Sequence, residues 1–185
     1  MIDTLLKHRH RFRKPPVWED VGLQKGQYIV MTLHRPSNVD EENNLKSLMN
    51  EILANTKDLP LIFPVHPRTA EILKSLGIDH ERLYMVEPLG YLEFNYLVER
   101  SKAVITDSGG ITEETTVMGI PCMTLRNSTE RPETVTMGTN ELLGVNPEAT
   151  MDRLFKGAWK KGDIPQLWDG KTSQRIVNSL IGLLG

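Results

Sequence analysis

Residues 107–114, DSGGITEE, place an acid, a hydroxyl, two adjacent glycines and a pair of carboxylates where an apolar run ends and a helical pattern begins. Their types and order fit the binding of an anion. Gly109 and Gly110 allow a ligand to approach the first backbone amides of a helix without meeting a Cβ. Those amides have no intrahelical partner, and the positive end of the helix dipole adds to their attraction for negative charge. Ser108 contributes a hydroxyl. With the helix taken from residue 111, Glu113 and Glu114 fall in its first turn, where a carboxylate is favoured and can hold ribose hydroxyls. Taken alone, the loop fits equally an ordinary strand-to-helix connection capped by Ser108.

Other groups of related chemistry recur at comparable places. His34-Arg35 follows the apolar run 28–33, His66-Pro67-Arg68 follows 61–65, residues 88–94 follow 83–86, and Arg126 to Arg131 follow 122–125. These runs read as strands, with a short sixth over 141–144. Helical patterns separate them. One is capped by Asp40, carries Glu41 and Glu42 in its first turn, and puts Leu45, Leu48, Met49, Ile52 and Leu53 on one face. Others cover 69–76, stopped by Gly77, then 91–100, 111–118, 147–161 and 171–184. The last presents Ile176, Val177, Leu180, Ile181 and Leu184 together. Strands alternating with helices imply an α/β Rossmann-like, doubly wound parallel sheet, whose ligands bind at the carboxyl ends of the strands. All the groups above then share one rim, and cations and amides drawn from several loops are what a diphosphate requires. Singly, His66 fits a packed histidine as well as a ligand contact, Arg68 a solvated helix start, and Phe94 plain core.

The 185 residues suffice for one domain. A net charge of -2 and a pI near 6.2 give no electrostatic footprint for nucleic acid. No apolar run is long enough to span a bilayer and no signal-peptide pattern is present, so a cytoplasmic protein with no membrane partner is expected. Cys122 has no second cysteine for a disulfide or a metal site and is expected to be buried and inert. Residues 1–16 end in Pro15-Pro16 after the cluster Lys7, His8, Arg9, His10, Arg11, Arg13 and Lys14. They read as a solvated short helix and linker ahead of a domain over 17–185. Ile2, Leu5 and Leu6 at helical spacing must pack either on something outside the chain or back onto it.

Four segments carry a resemblance: TLHRPSNVD at 32–40, PVHPRT at 64–69, DSGGITEE at 107–114 and TERPETVTMGT at 129–139. Over nearly the whole chain the sequence resembles the second half of the non-hydrolysing UDP-N-acetylglucosamine 2-epimerases. The resemblance implies one lobe of a two-lobe fold of the glycosyltransferase-B type, with UDP lying mostly on the lobe represented here. It implies that Ser108, Gly109 and Gly110 bind the diphosphate with Arg131 adding charge, and that Glu114 takes the ribose. Phe94 and the backbone near Leu89 would frame the uracil. Where the family often has Gln this chain has Leu89, which puts a side-chain contact to the base there in doubt. His34 would face the phosphates and assist the departure of UDP. Arg35 and His66 match positions that touch a second, regulatory substrate molecule in bacterial members.

The implied reaction interconverts UDP-N-acetylglucosamine and UDP-N-acetylmannosamine by eliminating UDP across C1 and C2 and adding it back, with no nicotinamide, other cofactor or metal. The family draws its essential carboxylates from the first lobe. The start at Met1-Ile2-Asp3-Thr4-Leu5 looks like the segment that crosses between lobes. The expectation is therefore a UDP-binding half that lacks the N-terminal lobe, is inactive alone, and belongs to a homodimer in the full-length enzyme. The alternatives are the nucleotide-sugar lobe of a split two-subunit enzyme or of a glycosyltransferase-B type transferase.

Overall fold

Apolar runs buried on both faces form the centre of the molecule, as a parallel sheet with helices on either side demands. The computed structural model describes residues 1–35, 42–143 and 147–184. Within them, β1 (Ile29–Thr32), β2 (Leu61–Pro64), β3 (Leu83–Val86), β4 (Ala103–Thr106), β5 (Cys122–Thr124) and β6 (Asn140–Leu142) make a six-stranded sheet in the order β3-β2-β1-β4-β5-β6. Every pairing is parallel. The period of two divides the core. Ile29, Met31, Ala103 and Ile105 join Leu45, Met49, Ile52 and Phe63 on one face. Val30, Val104 and Cys122 join Tyr28, Leu97 and Val98 on the other. Burial pushes the Cys122 thiol up to about 12, which leaves it inert as expected.

The helices are α1 (Ile2–His8), α2 (Val17–Asp20), α3 (Glu42–Asn55), α4 (Pro67–Ser75), α5 (Tyr91–Arg100), α6 (Gly109–Met118), α7 (Pro132–Thr136), α8 (Pro147–Phe155) and α9 (Thr172–Leu184). Asp40 and Glu41, expected to begin the α3 helix, lie outside the described residues. α7 is absent from the helical patterns read in the sequence; its Pro132 sits at the helix start, where the missing N–H costs nothing. α8 ends at Phe155, short of the expected 161, and Gly157 turns the chain away with φ +68°. No described helix is long and apolar enough to cross a membrane.

α1 packs back on the chain: Ile2 and Leu5 are buried with Val117 of α6. Its basic cluster is largely neutralised locally, Arg9 pairing with Glu99, Arg13 with Glu93 and Lys14 with Glu19. α9 behaves differently. Its start is tied down by Ser173, whose backbone N–H and hydroxyl both donate to Asp3 Oδ2. Its apolar residues Ile176, Val177, Leu180 and Ile181 nevertheless stay 51–65% exposed. Such a stripe is characteristic of a surface that another polypeptide covers.

The strand order places the site. The chain leaves β3 at one edge and returns to β4 beside β1, so the loops after β1 and β4 diverge to opposite sides of the sheet and open a crevice between them. Thr32 and Thr106 are register partners at that point.

Candidate functional site

The residues one and two positions beyond that register pair build the crevice. Asp107 is fully buried at the end of β4. Its Oδ2 accepts the backbone N–H of His34 at 3.1 Å and of Arg35 at 2.9 Å. Its Oδ1 lies 2.5 Å from His34 Nδ1, while the His34 side chain remains 61% exposed. One carboxylate therefore ties the end of β1 to the end of β4 and anchors the imidazole at the crevice mouth. Below it, Thr32 Oγ1 and Thr106 Oγ1 are 2.6 Å apart.

Thr106 Oγ1 also accepts the Ser108 amide at 3.0 Å. That amide is thus committed within the protein, and what Ser108 offers a ligand is its hydroxyl, which makes no capping bond to α6. Ser108 is extended (φ -91°, ψ 123°) and α6 begins at Gly109. The first turn therefore starts with the two glycines, and Glu113 and Glu114 fall in the second turn. This corrects the sequence expectation: at that depth the helix dipole gives them little.

α6 is held by burial more than by propensity. Thr112, Thr115 and Thr116 are poor helix formers, yet all three are buried. Their hydroxyls bond back to the carbonyls of Gly109, Ile111 and Thr112 respectively. A Cβ on Gly138 would come within 2.4 Å of Thr116 Oγ1, so close approach of the α7 end clamps α6 from the side.

Cations and acids alternate over the glycines. A Cβ on Gly109 would lie 3.7 Å from Glu130 Oε2 and 3.9 Å from Arg126 Nη1. Arg126 grips Glu130 through two bonds of 2.7 and 2.6 Å, and Arg35 stands 3.7 Å from the same carboxylate. The Arg126 guanidinium holds the Glu130 carboxyl down at about 2. Arg131, half exposed, pairs with Glu113 at 2.5 Å. The structure thus adds Arg126 to the arginine singled out from the sequence. Its signal was its place directly after a strand, the same one that marks His34.

The acid next in line is Glu114, 3% exposed. It accepts the Tyr91 hydroxyl at 2.8 Å. Burial pushes the Glu114 pKa up from its ordinary value, against the opposing hydrogen bonds of Tyr91 and Asn95. A ligand diol reaching it must displace Tyr91. Leu89 and Phe94 are both partly buried and pack with Ile111 against the apolar layer beneath β3 and β4, which forms a shelf beside the start of α6. His66 is neither packed nor central: it is an exposed N-cap of α4, its Nδ1 accepting the Arg68 N–H at 3.3 Å. A separate groove of about 610 Å³, lined by Val65, Tyr84 and Glu87 among others, contains none of these rim residues.

A crevice with a fixed imidazole, a glycine-led helix start and three arginines is what the UDP-N-acetylglucosamine 2-epimerase family model meets when it matches residues 1–181. The chain belongs to that family. It is 38% identical over 165 residues to the UDP-N-acetylglucosamine 2-epimerase of Methanocaldococcus jannaschii, covering 83% of this chain and 44% of that protein. It is 37% identical to the UDP-2,3-diacetamido-2,3-dideoxy-D-glucuronate 2-epimerase of Pseudomonas aeruginosa, over 99% of this chain and 51% of that one. The crystal structure of the M. jannaschii enzyme in complex with UDP-GlcNAc and UDP superposes with a TM-score of 0.75 at 32% identity, covering 96% of this chain and 52% of that chain. The fold alone is shared with an E. coli heptosyltransferase crystallised with ADP, at 15% identity, a TM-score of 0.53 and coverage of 78% of this chain and 46% of that one. This lobe of the epimerase family therefore has the Rossmann-like architecture of the glycosyltransferase-B type. The chain spans about half the length of the epimerases it matches.

Proposed function

We propose that this chain is the UDP-binding half of an enzyme that interconverts UDP-N-acetylglucosamine and UDP-N-acetylmannosamine. The observation that carries the proposal is that Asp107 anchors His34 at the switch point directly before the glycine-led start of α6, where Arg126 lies over Gly109. In this reading Gly109 and Gly110 present amides to the diphosphate and Ser108 adds its hydroxyl. Glu114 takes the ribose once Tyr91 yields, and the shelf of Leu89 and Phe94 receives the uracil. Arg35 and His66 would meet a second substrate molecule between the lobes.

A base from the other half removes the C2 proton, the C1–O bond breaks with its electron pair passing to the departing diphosphate oxygen, and a glycal results. UDP adds back as C2 is protonated from the opposite face. As the bond breaks, negative charge develops on the diphosphate, and fixed amides with nearby cations lower that barrier without reorganising. His34 stands where it can assist the departure. The exposed stripe of Ile176, Val177, Leu180 and Ile181 on α9 suits a second lobe of the size that the relatives' length leaves room for. In the full-length enzyme we place this assembly in a cytoplasmic homodimer.

The test is calorimetric. The wild-type chain is expected to bind UDP and, more weakly, uridine. Ser108→Ala is expected to cost UDP on the order of 1 kcal/mol, somewhat more because the acceptor is charged, and to leave uridine unchanged. Equal weakening of uridine and UDP would remove Ser108 from the phosphate site.

A further inference from the structure

Asp107, which ties β1 to β4, takes no part in the reaction set out above, yet it is engaged from both sides of the crevice. We propose that Asp107 is the positioning residue for His34: it fixes the imidazole in the tautomer protonated at Nδ1 and so leaves Nε2 as the atom that exchanges a proton with a ligand. The inference deepens the proposed site and rests on it for its catalytic meaning, but its geometry belongs to this chain alone.

The tautomer is decided by which oxygen of Asp107 meets which donor. Oδ2 of Asp107 accepts two backbone amides, Arg35 at 2.9 Å and His34 at 3.1 Å, the second shared with Oδ1 at 3.3 Å, which fixes the plane of the carboxylate. Oδ1 is then held against His34 Nδ1 at 2.5 Å. A carboxylate can only accept, so the nitrogen facing it must carry the proton. Nε2 is left with the lone pair in the neutral ring and with an N–H in the imidazolium. A ring with Nε2 outward and supported in this way can give a proton to a departing oxygen and take it back on the return step.

Asparagine at 107 reverses the logic with little change of shape. Its carbonyl oxygen is claimed by the two backbone amides in place of Oδ2, so its NH2 group must face His34 Nδ1. A donor there forces Nδ1 to accept, and the proton moves to Nε2.

The test reads nitrogen resonances of the chain itself by long-range 15N–1H correlation at about pH 9, above the ordinary imidazole range. The His34 signals are assigned by their loss in His34→Gln. A control lies in the same spectrum: His66 Nδ1 accepts the backbone N–H of Arg68, so that ring must be protonated at Nε2. The wild type is expected to show His34 with the opposite pattern, Nδ1 protonated and Nε2 not. Asp107→Asn is expected to convert His34 to the pattern of His66. Wild-type His34 protonated at Nε2, or a folded Asp107→Asn that leaves it protonated at Nδ1, would overturn the proposal. The wild-type spectrum decides by itself where the variant does not fold. Because neither measurement uses UDP, its outcome is independent of whether this crevice binds a nucleotide sugar.

Discussion

In heavy water the purified chain is expected to leave the hydrogen at C2 of UDP-N-acetylglucosamine unexchanged, and the same chain joined to the half that its relatives possess is expected to exchange it. A general base must come within hydrogen-bond reach of the proton it removes, and four of the crevice's described carboxylates are committed elsewhere. Asp107 is buried under two amides and an imidazole. Glu114 is buried under Tyr91, Glu113 is paired with Arg131, and Glu130 is gripped by Arg126 and held at about 2, too acidic to compete for a carbon-bound proton. A positioned base alone contributes roughly 10²–10⁴-fold, and the half that the relatives have in addition would supply orientation besides. The expected effect is loss of all measurable exchange. Deuterium incorporation by the chain alone, at a rate that scales with its concentration, would place the base within these residues and refute the half-enzyme account.

The second large effect concerns His34. In the assembled two-lobe enzyme, His34→Ala is expected to lower kcat by about 10²–10³-fold, the range seen when one preorganised donor to developing charge is removed. UDP affinity should fall far less. The imidazole is held at the mouth of the crevice by Asp107 and is still 61% exposed, so it gains most from a charge that grows during bond breaking. An interaction made mainly in the transition state is lost from kcat and kcat/KM together, whereas one made equally in the ground state is lost from KM. Steady-state kinetics with a parallel UDP titration separates the two. A large rise in KM at unchanged kcat would make His34 a binding residue only.

The sheet could be read from the sequence because its strands are buried on both faces, which leaves the apolar runs 29–32, 61–64 and 103–106 uninterrupted. Boundaries were harder where a residue breaks propensity for a local reason. Gly109 and Gly110 disfavour helix interiors and led to a start at 111, yet the first turn tolerates them and α6 begins there. That shift carried Glu113 and Glu114 out of the first turn.

The rim was legible as a set of residues following strands, but not as a set of bonds. Asp107 and the His34 amide are separated by 73 positions, and only the parallel register of β1 with β4 brings them together. For the same reason the clasp of Arg126 on Glu130 over Gly109, and of Tyr91 on Glu114, could not be anticipated: each depends on how loops from different strands settle on one helix start.

The most direct test of the central claim, that the UDP site lies at the β1–β4 crevice within this chain, is a titration of the 15N-labelled protein with UDP, followed residue by residue through its amide resonances. The account predicts saturable shifts that are largest at Gly109, Gly110 and Ile111, extend to His34 and Arg35, and are reduced there by Ser108→Ala. Shifts confined to the groove around Val65, Tyr84 and Glu87, or no shifts at millimolar UDP with the protein folded, would contradict it.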